Sequence, residues 1–356
     1  MLKVLFTSFN RRSLSHWLPL AETIRRRGGG CDFMLFPREV DPDSAGLNAP
    51  EIKEFTVLSL PIGHDFNFVG DDEDHSRVQV INACASGDYD AILMTTCVGG
   101  PELHLKKWIR PHQPRIKFIG LQHGFVQTWS YYESLFPSFD CFGVFGAGFA
   151  ERFSLQYQAD VLTMALPQLD VARAAHTGGA GVLFALQLDL NVATVRDLAR
   201  EVESLSGMPV ILRPHPEHLR LYDELRDDFA FSEQSESANE AIAKADALVT
   251  SGSTIAIQAL AAGLPTAVID HLRGSDYSDF GIVADSITGA DVVSVLEAQQ
   301  MPTQKKLIGT QMKRHTGEAG VRVLSAYAAL LRSVRPHGWR DEVFHTNKAI
   351  LSKNTR

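Results

Sequence analysis

Apolar and polar positions along this chain fall into two alternating regimes. A short, unbroken apolar run meets a turn marked by glycine or proline, and residues at helical spacing follow. Lys3–Phe9 reads as a buried strand, and Leu18–Arg27 as a helix ended by Gly28-Gly29-Gly30. Cys31–Phe36 and Ala91–Thr95 are the next strands, and Pro101 opens the helix behind the second of them. Ile116–Leu121 and Phe142–Phe145 continue the series. Continuous apolar strands separated by helices predict an α/β protein with parallel sheets covered on both faces.

The pattern breaks at Asp170–Ala180, which is small, polar and Gly-rich and reads as the end of a linker. A second series follows it. Strand Val182–Leu186 leads to helix Val192–Ser206, strand Val210–Leu212 and helices Glu217–Asp227 and Asn239–Ala245. Strand Ala247–Thr250, helix Ser253–Ala262 and strand Thr266–Ile269 complete it. The expected organisation is an N-terminal unit 1–170, a C-terminal unit 178–317, and an amphipathic helix (Glu318–Arg332) with a basic polar tail, 318–356. Two doubly wound units facing each other place the carboxyl ends of their strands around one cleft, where ligands of open α/β sheets bind.

Composition narrows the function classes. The 356 residues suit about two domains. With 34 Lys+Arg against 42 Asp+Glu the net charge is −8, which argues against a nucleic-acid partner, since that needs a broad basic face. Cys31, Cys84, Cys97 and Cys141 have no CxxC spacing and read as reduced core thiols. With no signal-peptide pattern and no apolar run of about 20 residues, a cytoplasmic location is expected.

Four segments at strand ends combine polar groups with glycine or proline. In Gly120-Leu121-Gln122-His123-Gly124-Phe125 a strand runs into a His-Gly turn, which puts Gln122, His123 and Gly124 at the cleft rim. In Leu212-Arg213-Pro214-His215-Pro216-Glu217 two prolines fix Arg213 and His215 at a helix start, an arrangement that favours phosphate. The turn Thr250-Ser251-Gly252-Ser253-Thr254 offers hydroxyls and N–H groups to an anion, and Ser253 also suits a helix cap. It lacks the P-loop lysine. Leu186-Gln187-Leu188-Asp189 brings Gln187 and Asp189 to the first strand end of the second unit; Asp189 could cap Val192–Ser206 or act as nucleophile or base.

Glu102 and His104 follow Gly99-Gly100-Pro101 and suit either acid/base work or capping. Asp41-Pro42-Asp43 spells the DxD of some metal-using sugar transferases but reads as a turn, and Asp71-Asp72-Glu73-Asp74 as a solvated loop. No metal site is expected.

In their order, these segments resemble the two-domain nucleotide-sugar glycosyltransferases of the GT-B fold, over roughly Gly120 to Pro265. A His-Gly after an N-domain strand, a His-Pro and a small Ser/Thr turn are shared with bacterial Kdo transferases, CMP-sialic-acid transferases and teichoic-acid glycerophosphotransferases. Leu186-Gln187-Leu188-Asp189 is similar to the strand that carries the nucleophilic aspartate of the retaining β-Kdo transferases. That resemblance implies a CMP-Kdo donor and a lipid-linked or oligosaccharide acceptor, with no cofactor or metal. It also implies peripheral association with the inner membrane or with other glycan-assembly enzymes. His215, Ser251 and Ser253 would bind the CMP phosphate, with Arg213, Thr254 and Gln187 beside them. Asp189 would attack the anomeric carbon, Glu102 or His123 would deprotonate the acceptor, and Gln122 and Gly124 would touch acceptor or sugar. The Gly between Ser251 and Ser253 departs from the adjacent serines of the sialyltransferases. A polyol-phosphate transferase using a CDP-linked donor is the alternative, followed by a non-catalytic sugar-nucleotide-binding subunit and a UDP-sugar 2-epimerase. Epimerases usually carry Ser-Gly-Gly and a Glu-rich helix, where this chain has Ser251-Gly252-Ser253-Thr254 and Gln258.

Overall fold

The computed structural model describes residues 1–9, 11–41, 43–63, 73–94, 102–122, 124–125, 138–157, 160–170, 175–187, 190–215, 220–233, 235–269 and 277–334. Its first half contains β1 (Lys3–Ser8), α1 (Arg11–Arg26), β2 (Gly30–Leu35), β3 (Thr56–Ser59), α2 (Glu73–Gly87), β4 (Ala91–Met94) and α3 (Glu102–Ile109). β5 (Lys117–Leu121), β6 (Cys141–Val144), α4 (Ala147–Tyr157) and β7 (Val161–Thr163) complete that half. These seven strands form one sheet in the order β3-β2-β1-β4-β5-β6-β7, and every pairing is parallel.

The second half contains β8 (Val182–Ala185), α5 (Val192–Ser206), β9 (Val210–Arg213), β10 (Ala230–Phe231), α6 (Ala238–Lys244), β11 (Ala247–Thr250), α7 (Ile255–Ala261) and β12 (Thr266–Ile269). β13 (Val283–Ala284), α8 (Gly289–Ala298), α9 (Pro302–Thr316) and α10 (Arg322–Val334) follow. The second sheet runs β10-β9-β8-β11-β12-β13, again all parallel. The doubly wound α/β expectation therefore holds for both halves.

Three elements differ from the sequence pattern, each for a local reason. α1 starts at Arg11 rather than Leu18 and carries Pro19 inside it. Leu14, Trp17, Ala21 and Ile24 are buried at helical spacing, so an apolar stripe holds the helix across a proline that would otherwise read as a stop. In place of a helix over Glu217–Asp227, the described part is a 3-10 turn at Asp223–Leu225. Buried Tyr222 and Leu225 stand three residues apart, joined by a 3.0 Å bond from the Leu225 N–H to the Tyr222 carbonyl, which suits a 3-10 turn. The last helix begins at Arg322, not Glu318, because Asp170 gathers the N–H groups of Gly320 (2.9 Å) and Arg322 (2.6 Å).

The two halves share one apolar cluster, which runs from the first sheet through Phe125, Tyr277 and Phe280 to one face of the second sheet. A separate cluster fills the other face of the second sheet under α5 and α8. Near the chain crossing, Arg322 donates to Asp170 at 2.8 Å and to the Thr316 carbonyl at 3.2 Å, and the Leu166 N–H bonds that same carbonyl at 3.0 Å. Cys31 and Cys84 are buried free thiols that burial pushes up to about 12, and Cys97 lies outside the described residues.

Candidate functional site

Each sheet reverses its winding direction between two neighbouring strands: β1 and β4 in the first, β8 and β11 in the second. Outside the carboxyl ends of such strands, the flanking connections diverge and leave a crevice. Of the polar residues singled out from the sequence, Glu102 stands behind β4 at the first crevice, and Gln187, Ser251 and Ser253 stand behind β8 and β11 at the second.

At the first crevice Thr7, near the end of β1, donates its hydroxyl proton to the carboxylate of Glu102 on the first turn of α3. Both residues are buried. His104, two residues on, is exposed and stacks on Trp108 with ring centroids 5.4 Å apart, so it turns away from Glu102's surroundings.

Beyond β5, Gln122 is wholly engaged in bracing the turn. Its Nε2 donates to the Gly124 carbonyl at 2.8 Å, and its Oε1 accepts from the Phe145 N–H at 3.0 Å. This corrects its expected contact with acceptor or sugar: the carboxamide is buried and bonded to backbone at both ends. His123 lies outside the described residues. Gly124 is buried, and the next residue, Phe125, donates its N–H to the Thr254 hydroxyl at 3.1 Å. That bond joins the segment behind β5 to the turn behind β11, and so sets the carboxyl ends of the two sheets against each other.

At the second crevice the Thr250 hydroxyl donates to the Ala185 carbonyl at 2.8 Å, locking β11 to β8 where the chain leaves the sheet. Ser251 is buried and Ser253 half-buried; between them Gly252 takes φ +76°, a backbone state that glycine adopts without penalty. The cap expected of Ser253 is not formed: α7 begins after Thr254 with no side-chain cap, and the Ser253 carbonyl instead accepts from the Ala256 N–H (3.0 Å) and the Tyr277 hydroxyl (2.7 Å).

The other two segments are corrected in part. Arg213 does not point its guanidinium at an anion site: its amino groups donate to the Ser232 hydroxyl at 3.0 Å and the Glu236 carbonyl at 2.8 Å. Burial lowers its pKa, with Glu236 and Glu240 acting in the opposite sense. His215, half-buried, follows β9 on the same edge. Gln187 is half-buried too, and its carbonyl accepts from the buried Tyr222 hydroxyl at 2.6 Å. Asp189 lies outside the described residues, but the capping role considered for it is filled by Asn191, whose side chain accepts from the Thr194 N–H at 2.9 Å.

Tyr222, Tyr277 and Phe125 were not singled out by sequence reasoning; only Phe125 had a signal, its place directly after the His-Gly turn. Asp41 and Asp43 turn their carboxylates to the backbone N–H groups of Asp43 (3.2 Å) and Asn48 (2.8 Å), as a turn requires. Among the described residues no three His, Cys, Asp or Glu side chains gather as a metal site. Asp71 and Asp72 lie outside them.

No protein-family model matches the sequence, and neither does any curated protein. The fold does have known counterparts. A Listeria monocytogenes protein assigned as a UDP-N-acetylglucosamine 2-epimerase superposes with a TM-score of 0.68 at 11% identity, over 95% of this chain and 99% of that one. The UDP-GlcNAc 2-epimerase of Neisseria meningitidis, solved with UDP-GlcNAc bound, gives 0.62 at 9% identity, over 93% and 100%. The glycosyltransferase SnogD of Streptomyces nogalater gives 0.56 at 15% identity, over 94% and 99%. The chain has the GT-B fold: two Rossmann-like domains with parallel sheets. Its structural neighbours are epimerases and glycosyltransferases of that architecture.

These neighbours correct the functional expectation. UDP-sugar 2-epimerases recur among them, which moves the reading away from a CMP-Kdo donor and from attack by Asp189 on its anomeric carbon, toward the UDP-sugar alternative. Among the described residues no helix is long and apolar enough to cross a membrane.

Proposed function

We propose that this protein binds a UDP-activated N-acetylhexosamine between its two domains and inverts the sugar at C2. The observation that supports the reading is the 3.1 Å bond from Phe125 to Thr254, which joins the domain that carries Glu102 to the turn behind β11. Ser251 and Ser253 of that turn, with His215 behind β9, take the diphosphate; the first domain takes the sugar. A C2 hydrogen with no carbonyl beside it becomes acidic only if a group departs from C1 as the proton leaves, so the diphosphate cradle belongs to the chemistry as well as to binding. Inversion needs one group to remove the proton and another to return it on the opposite face, while the cradled UDP re-forms its bond to C1. Glu102 is our candidate for one of them. No step in this reading requires a metal, and activity is expected to survive chelation.

A second reading, glycosyl transfer from a UDP-sugar, is favoured by Ser253 and Gln258, which stand where epimerases usually carry glycine and a Glu-rich helix. Incubation with UDP-GlcNAc in D₂O separates the two. Epimerisation yields UDP-ManNAc with deuterium at C2, and Glu102→Gln abolishes the exchange while UDP still binds. Binding of UDP with no exchange at C2 in the wild type would rule out the epimerase and leave the transferase.

A further inference from the structure

The turn that carries Ser251–Thr254 is anchored on two sides. On the sheet side, Thr250 is bonded to Ala185 of β8. On the other side two bonds hold consecutive residues: the Tyr277 hydroxyl donates to the Ser253 carbonyl at 2.7 Å, and the Phe125 N–H donates to the Thr254 hydroxyl at 3.1 Å. The two donors are themselves packed together, with the rings of Phe125 and Tyr277 at 4.9 Å.

Phe125 is fully buried and also meets Phe149 of the first domain at 4.8 Å. Just upstream, Gln122 ties the Gly124 carbonyl to the first domain through its own carboxamide. The stretch from Gln122 to Phe125 is therefore clamped to one domain at its start and to the other at its end. Through the Phe125 amide, a change in the position of Thr254 reaches the first domain. A hydroxyl accepts and donates at once, so a phosphate bound at the turn need not displace Phe125.

We propose that Thr254 is a positioning residue that transmits occupancy of the nucleotide turn to the Gly124–Phe125 segment of the first domain, with Tyr277 as its second tether. This rests on the UDP reading and assigns Thr254 a task other than phosphate contact.

The test uses the full chain, with UDP as the probe, calorimetry for affinity and amide hydrogen exchange of the peptide containing Gln122–Phe125. In the wild type UDP binds and slows exchange of that peptide. Thr254→Val keeps the UDP dissociation constant within about threefold of wild type but loses the UDP-dependent protection, and Thr254→Ser restores it. If Thr254→Val does not fold, Tyr277→Phe is read in the same way. Protection that survives in the valine variant overturns the proposal, and so does a loss of affinity greater than threefold, which would make the hydroxyl a direct phosphate ligand. A wild type that binds UDP without any protection overturns the coupling alone; one that binds no UDP overturns the UDP reading with it.

Discussion

The buried hydroxyl of Tyr222 donates to the carbonyl of Gln187 at 2.6 Å, and it lies 2.8 Å from the carbonyl of Leu190 as well. One side chain, 35 residues downstream, thus closes both ends of the short segment that leaves β8 at the second crevice. Tyr222→Phe keeps the ring and removes only the hydroxyl. It removes the one proton that the two carbonyls share, so a stability loss of about 1–3 kcal/mol is expected. UDP affinity should fall along with it if the segment lines the nucleotide site. Urea unfolding and calorimetry on the same variant check both; an unchanged midpoint would show that the hydroxyl braces nothing.

Helix α5 gives a second prediction. Asn191 caps it, so Asn191→Ala should cost about 1 kcal/mol, while Asn191→Asp should be nearly neutral. Asp189→Ala should leave the helix as stable as wild type. A larger loss in the Asp189 variant than in the Asn191 variant would return the cap to Asp189.

Asp170 and Arg322 give the third. Their side chains are 9% and 6% exposed, and the carboxylate also holds the two N–H groups at the start of α10. Removing one partner of such a pair leaves a buried charge and unmet donors. Asp170→Ala should therefore cost about 3–5 kcal/mol. Both groups belong to the crossing where the chain returns to the first domain, so the loss should appear as early unfolding of α10 in hydrogen exchange. A drop below about 1 kcal/mol, typical of surface pairs, would show that the crossing is solvated.

Much of this fold was legible because its central strands are buried on both faces and read as unbroken apolar runs, as β1, β4, β8, β11 and β12 do. The edge strands β10 and β13 have two residues each and leave no such run. Helix α2 buries only a few apolar residues, Val80 and Cys84 among them, so its helical period is faint. The crevices were legible as polar turns at strand ends, but the direction of a side chain was not. Arg213 looks like an anion ligand in one dimension; only the fold brings Ser232 and Glu236 to its guanidinium. For the α5 cap the signal was present, since Asn191 stands directly before the first helical residue.

The last prediction concerns His315 of α9, which is completely buried against Phe125, Phe149 and Phe280 at the junction of the two domains. Gly148 makes room for it: a Cβ there would lie 2.5 Å from the imidazole. Burial lowers the His315 pKa, Asp279 at 3.3 Å opposes the shift, and the neighbouring Arg314 and Arg152 reinforce it. Arg152 is itself paired with Asp279 at 3.1 Å, and Arg314 with Glu151 at 2.9 Å. The folded chain therefore resists a proton that the unfolded chain takes up near an ordinary histidine pKa of about 6.5. With more protons bound in the unfolded state, stability rises with pH across that window. The contribution is complete above about pH 6.5 and is lost as pH falls from there through the lowered value of the folded state. His315→Phe keeps an aromatic ring in the cluster and removes the titration. Urea midpoints measured between about pH 5 and 8 should thus fall on the acid side in the wild type and fall less in the variant. Parallel curves for the two proteins would mean that His315 takes no part in the pH response of the domain junction.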